Sequence, residues 1–289
     1  WRKEPQKLED QADHLMQGMN KIEDLPVLDE NKDLIAIDQY KQQLQSFSQR
    51  MDTVWGGRIG APKFPMPVIW EWMLMDYYYF ENNTALEDTR RTLDKMALGG
   101  IYDHVDGGFA RYSVDKIWKV PHFEKMLYDN GQLLSLYAKA YKIQPSEDYE
   151  RVLRKTANFM IEHMAKEDGY FYAAYDADSE GIEGKFYIWS VDELRNILDP
   201  TFFETFGEYY SITTSGNWEH GQNILFAEYF PDEFCQRKKL DPKDFKSNLF
   251  KSLEKLKLIR EGRVWPGLDD KSLTSWNALA IIGLLDTYE

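Results

Sequence analysis

The chain has 289 residues, enough for about two average domains or one large architecture of the barrel type. A formal net charge of −14 argues against nucleic acid and against anionic membrane surfaces, both of which call for Lys and Arg. The single cysteine, Cys235, rules out an intramolecular disulfide and a four-cysteine zinc site, and no apolar run approaches the roughly 18 residues of a membrane span.

The first residues are polar and helical in pattern, unlike a signal peptide, so a cytoplasmic location is expected. Beginning without Met and stopping inside a helical pattern at Glu289, the sequence reads as an excised piece. Aromatics make up 15% of it, an excess that first means core, since these rings carry large burial areas. Flat rings also stack on the apolar faces of sugars.

In chain order, 4–20 is an amphipathic segment broken by Pro26, and a helix follows from Asn31 to about Met51. The glycine–proline loop 56–67 leads to a helix with Pro67 in its first turn, and Asn82-Asn83-Thr84 resets the chain for a helix over 86–98. A glycine loop over 99–121 precedes a helix expected from His122 to Lys142, and another is expected over 147–166. The stretch 170–190 alternates aromatic and polar residues around Gly181 and Gly184, a hairpin signal. Ser190 and Glu193 form a capping box that opens a short helix to about Leu198. Turns and a second short hairpin are expected over 207–226, then helices over 241–259 and 274–289. Glycine–aromatic steps at Gly100-Ile101-Tyr102-Asp103 and Gly169-Tyr170-Phe171 form a weak repeat, suggesting stacked helical hairpins with their loops on one face.

Three segments concentrate chemistry. The most telling is WKVPHFEKMLYDN (118–130), where Trp, Lys, His, Glu and Asp gather at a loop–helix junction behind the glycine loop. A helix from His122 would set His122, Met126 and Asp129 on one side and Glu124 and Tyr128 on another. The second, DADSEGIEGK (176–185), begins like a calcium loop with Gly181 at the sixth position, but the twelfth is Tyr187 instead of a bidentate Glu. Its carboxylates can instead do acid–base work, because acids held close together split their pKa values. A solvated acidic turn is the plainer alternative. The third runs from Trp265 to Asn277 and places an Asp pair, Lys271, Trp276 and Asn277 before an apolar helix. Nucleophile-elbow, phosphate-loop, dinucleotide and H-E-x-x-H motifs are absent, and the five histidines are scattered, so neither a metal nor a cofactor is expected.

Together GAPKFPMP (60–67), the segment 99–130, YAAYDADSEGIEGKFYIWS (172–190), GNWEHGQNIL (216–225) and DDKSLTSWNAL (269–279) resemble the spermatogenesis-associated, thioredoxin-domain-containing protein family, the YyaL family. That resemblance implies a mainly α fold, an (α/α) toroid of the six-hairpin glycosidase type, here incomplete, with short β-hairpins in its loops. It makes residues 1–50 linking helices that lead into a partial toroid domain over 51–289, and it implies a thioredoxin-like domain as a partner in the longer protein. By analogy of fold, the ligand is a sugar-like small molecule and the activity that of an epimerase, isomerase or glycosidase. Candidate catalytic groups are Asp176, Asp178, Glu180 and His122, with Glu124 and Asp103 in support. Candidate binding groups are Trp118, Trp189 and Trp276 as stacking surfaces and Arg111, Asn130, Lys271 and Asn277 as orienting groups. The competing expectation is a non-catalytic binding or scaffold domain serving the thioredoxin-like domain.

Overall fold

The structure is a computed structural model that describes residues 6, 9–16 and 36–289. The chain divides into two compact units, Trp1–Phe47 and Ser48–Glu289. In the first, 9–16 is helical and α1 begins at Ile37, running to Ser48. The break expected around Pro26 lies outside the described residues.

The second unit is mainly α, built of consecutive helices with strands of two residues confined to the connections. Pro67 opens α2 (Pro67–Phe80) as the sequence indicates. The Asn82 side chain accepts from the Ala85 amide and starts α3 (Asn83–Leu98) three residues earlier than expected. α4 (Leu127–Ile143) is buried nearly all round and packs against α2, α10 (Thr274–Tyr288) and α5 (Glu147–Phe159). Such a helix is a core element, not an amphipathic surface one. Its seam with α10 is glycine-dependent: a Cβ on Gly131 would lie 2.8 Å from Ala280 Cα, and one on Gly283 would lie 2.2 Å from Gly131 O.

Ser146 caps α5, which passes into a π-turn at Met160–Met164 instead of running on as α-helix. The capping box at Ser190 opens α6 (Val191–Ile197). Over 207–226 the expected second hairpin gives way to the end of α7 (Phe203–Tyr209) and a strand whose partner lies elsewhere. α8 (Pro231–Lys238) precedes α9 (Pro242–Glu261), which Asp241 caps. Many of the aromatics are core, as in the cluster of Trp189, Phe206, Tyr209, Tyr210, Phe234 and Phe245. No described helix is long and apolar enough to cross a membrane.

Short strands stitch the connections together at one end of α4 and α10. β1 (Tyr112–Ser113) pairs with β2 (Pro121–His122), and β5 (Asp178–Ser179) with β6 (Ile182–Glu183). β4 (Ala174–Tyr175) lies between β3 (Lys125–Met126) and β9 (Leu268–Asp269), joining the entries of α4 and α10 to the start of the acidic segment. β7 (Trp189–Ser190) pairs with β8 (Gln222–Asn223). Of the expected hairpin over 170–190, only 178–183 closes on itself.

Candidate functional site

The helix expected from His122 starts at Leu127, and 121–126 is extended. Its backbone groups find partners across space: the Arg111 amide donates to Glu124 O at 2.9 Å, His122 pairs with Tyr112, and Lys125 with Tyr175. A period of two therefore replaces 3.6. Phe123 and Lys125 turn inward at 5% and 2% exposure, while His122 and Glu124 stay half-buried on the open side.

On that open side His122 is the hub. Its Nδ1 lies 2.8 Å from Glu183 Oε1 and its Nε2 lies 3.8 Å from Glu124 Oε2. Tyr112 stacks on the imidazole, with ring centres 5.0 Å apart. Arg111 reaches Glu124 at 3.2 Å, and Trp276 sets its ring 4.7 Å from Tyr128 in an edge arrangement. The mouth thus draws on β1, β2, β6 and the first turns of α4 and α10.

Asp129, in the first turn of α4, is the least ordinary group here. It is buried, and its Oδ2 meets no hydrogen-bond donor. Burial pushes its carboxyl up to about 7, against the opposing pull of Arg111 and Tyr128, and Glu124 adds to the rise. It was one ionisable residue among many in the sequence; only its burial sets it apart.

Behind the strand, Asp103 is the centre of a saturated ion cluster. Arg260 grips it through two bonds, at 2.9 and 2.8 Å, and Lys125 Nζ donates to it at 2.8 Å. Burial alone would raise its pKa, but Arg260 and Lys125 overwhelm that effect and hold it far below the carboxylate range. With both carboxylate oxygens taken by cationic donors, Asp103 is held as a counter-ion to Arg260 and Lys125. His104 is likewise buried and pushed down to about 3, mainly by burial. It stays neutral against Gly99 O. Asp106, Glu162 and His163 bring one ligand atom each within 4.8 Å of one another. Lys257 already stands among them, 2.6 Å from Asp106 and 2.9 Å from Glu162, so a cation is supplied by the chain itself.

The remaining sequence candidates separate clearly. Trp118 is fully buried, donating to Trp55 O at 2.9 Å, and Trp189 is fully buried beneath Arg263, 3.9 Å from its ring centre. Neither ring offers a face to a ligand. Asn130 and Asn277 are structural twins. Asn130 accepts from Phe109 N and donates to Phe109 O and Met126 O; Asn277 does the same with Phe171 N, Phe171 O and Leu273 O. Each locks an incoming loop onto a helix start, at Phe109 and at Phe171, so the equivalence falls on Phe109 and not on the Gly100–Asp103 step that the sequence suggested.

Asp176, Asp178 and Glu180 are exposed, and Glu180 pairs with Lys185 at 2.7 Å. Lys271 is exposed and pairs with Asp269 at 3.0 Å. The acid of this hairpin that reaches His122 is Glu183. Glu180 and Gly181 both have positive φ, the signature of a two-residue type I′ turn, and this sets Glu183 across from Asp178. Reading that turn from Glu-Gly would have found the register.

No protein-family model matches the chain. Over 270 residues it is 35% identical to spermatogenesis-associated protein 20 of Homo sapiens, covering 83% of this chain and 34% of that protein. The Mus musculus protein is 34% identical over 274 residues, with 84% and 34% covered. The chain spans about a third of the length of these relatives. Among solved structures it is similar to a sugar epimerase from a ruminal bacterium, with TM-score 0.43, 12% identity and coverage of 87% of this chain and 81% of that one. It is also similar to an unsaturated glucuronyl hydrolase specific for heparin, with TM-score 0.44, 11% identity and coverage of 88% and 69%.

Proposed function

From a chain related over most of its length to spermatogenesis-associated protein 20, we propose a carbohydrate-active unit that moves protons on a sugar-like ligand at the His122 mouth, in the manner of an epimerase or isomerase. The observation that carries this reading is His122 held by Glu183 and Glu124, with the buried Asp129, its Oδ2 unpartnered, within the field of that same Glu124 and of Arg111. An ionised carboxylate only accepts hydrogen bonds, so Glu183 fixes the proton on Nδ1 and leaves the Nε2 lone pair as a base. Imidazole works near neutral pH, where proton transfer is most efficient. Asp129 is the complementary acid, a carboxyl raised to about 7 by burial and so about half protonated at neutrality. Arg111 and Glu124 orient ligand hydroxyls, and Trp276 offers its half-buried ring.

The test is proton exchange. Candidate reducing sugars are incubated with the protein in D2O, and deuterium at the carbon beside the carbonyl is followed by NMR. His122→Ala and Asp129→Asn should abolish incorporation while the protein stays folded. Exchange that survives His122→Ala, or no exchange with any sugar, sinks the reading. Hydrolysis of a glycoside without exchange would move the site to the glycosidase class.

One observation favours a second reading, a scaffold for a thioredoxin-like domain. The space beneath the mouth, between Phe123, Tyr187 and Lys125, is only about 30 Å³, filled by the protein's own rings. A folded protein that binds no sugar yet associates with that domain would support it.

A further inference from the structure

Beside the mouth runs a groove of about 790 Å³, bounded by the β5–β6 hairpin, the loop 216–223 and the turn 262–264. This is within the usual range for small-molecule sites, roughly 300–1,000 Å³. Glu183 belongs to both places, lining the groove and holding His122. A ligand reaching His122 can therefore continue into the groove.

The far wall is built and locked. Asn217 donates to Ser211 O and Ile224 O and accepts from Ile224 N, while Asn223 accepts from Thr213 N and Asn217 N. Lys119 Nζ donates to Asn217 O at 2.7 Å, tying this loop to the segment that leads into His122. With the loop held by these bonds, the groove-lining side chains of Glu219, His220 and Gln222 make no hydrogen bond. His220 sits at φ 54, a left-handed conformation that costs a non-glycine residue on the order of 1 kcal/mol. Trp218 is half-buried, its ring set 5.4 Å from Phe123, the neighbour of His122. A flat ring flanked by an uncommitted carboxylate, imidazole and amide suits a polyhydroxylated ring: the apolar face meets the indole and the hydroxyls meet the polar groups.

We infer that this groove holds the second ring of a di- or oligosaccharide whose first ring sits at His122. The inference rests on the sugar reading of the mouth and adds a size class to it.

The test compares D-glucose with cellobiose and D-mannose with mannobiose by calorimetric titration of the wild type, Trp218→Ala, Gln222→Ala and His122→Ala. One disaccharide should bind about tenfold more tightly than its monosaccharide, and Trp218→Ala should erase most of that gain while sparing the monosaccharide. Gln222→Ala, which removes no buried ring, should lower disaccharide affinity about threefold, and His122→Ala should weaken both ligands. Monosaccharide binding that depends on His122, with no disaccharide gain or no effect of Trp218→Ala and Gln222→Ala, overturns the groove and leaves the mouth standing. Failure of every sugar to bind the folded wild type removes both.

Discussion

Two charged clusters share the strand segment 121–126 and use it in opposite ways. On the inner side Lys125 meets Asp103 and Arg260, and each carboxylate oxygen of Asp103 has a cationic donor. On the outer side His122 and Glu124 meet Arg111 and Glu183, and the set includes an imidazole nitrogen 3.8 Å from Glu124, beyond hydrogen-bond reach, and, in the field of Arg111 and Glu124, the bare Oδ2 of Asp129. Residue types are much the same in both. What separates them is saturation: a buried charge with every bond made holds the fold, and a partly satisfied one at an opening is available for chemistry.

The comparison breaks first on the inner cluster. Removing one partner of a buried ion set strands the other, so Asp103→Asn or Arg260→Met should cost about 3–5 kcal/mol in urea unfolding. A loss below about 1 kcal/mol would mean that the inner cluster is no keystone.

Asp129 gives the next largest effect, and it depends on pH. Its folded pKa of about 7 lies above the ordinary 3.8, so the stability tied to its neutral form is complete below about pH 4 and is lost as pH rises through 7. That rise bounds the cost at about 4 kcal/mol. Asp129→Asn should therefore match the wild type in melting temperature near pH 4 and exceed it progressively toward pH 8. Parallel curves would remove the case for Asp129 as a protonated acid.

Asn130→Ala leaves the Phe109 amide and carbonyl without a partner, and Asn277→Ala leaves the Phe171 amide without one while Ser272 still holds the carbonyl, at about 1–3 kcal/mol each. Matching losses in thermal unfolding would sharpen the structural repeat, and a gap of more than about 1.5 kcal/mol would end it. At the bottom of the scale, Glu124→Gln should shift stability by less than about 1 kcal/mol, as for other half-exposed ion pairs. Its effect should appear in sugar binding by NMR instead. A large stability loss would move Glu124 from the site into the scaffold.

Much of the helical framework was legible in the sequence. Ser146, Asp241 and the Ser190–Glu193 box mark helix starts through bonds to residues at most a few positions away, and Pro67 does so through its fixed φ, so reading locally suffices. The concentration of chemistry at 118–130 was visible for the same reason, as was the aromatic core. The division of labour within that segment was decided by tertiary structure. Whether 121–126 becomes strand or helix depends on Arg111, Tyr112 and Tyr175, of which Tyr175 is about fifty residues distant. That choice turns Lys125 inward and His122 outward. Trp118, Asn130, Trp189 and Asn277 read as ligand-binding types, yet burial and backbone partners far along the chain commit them to structure. Conversely, Glu183 and Asp129 stand out only through what surrounds them in space, the one against His122 and the other through its burial. Caps and periodicity are set by near neighbours, whereas desolvation and the counting of hydrogen-bond partners are properties of the folded chain.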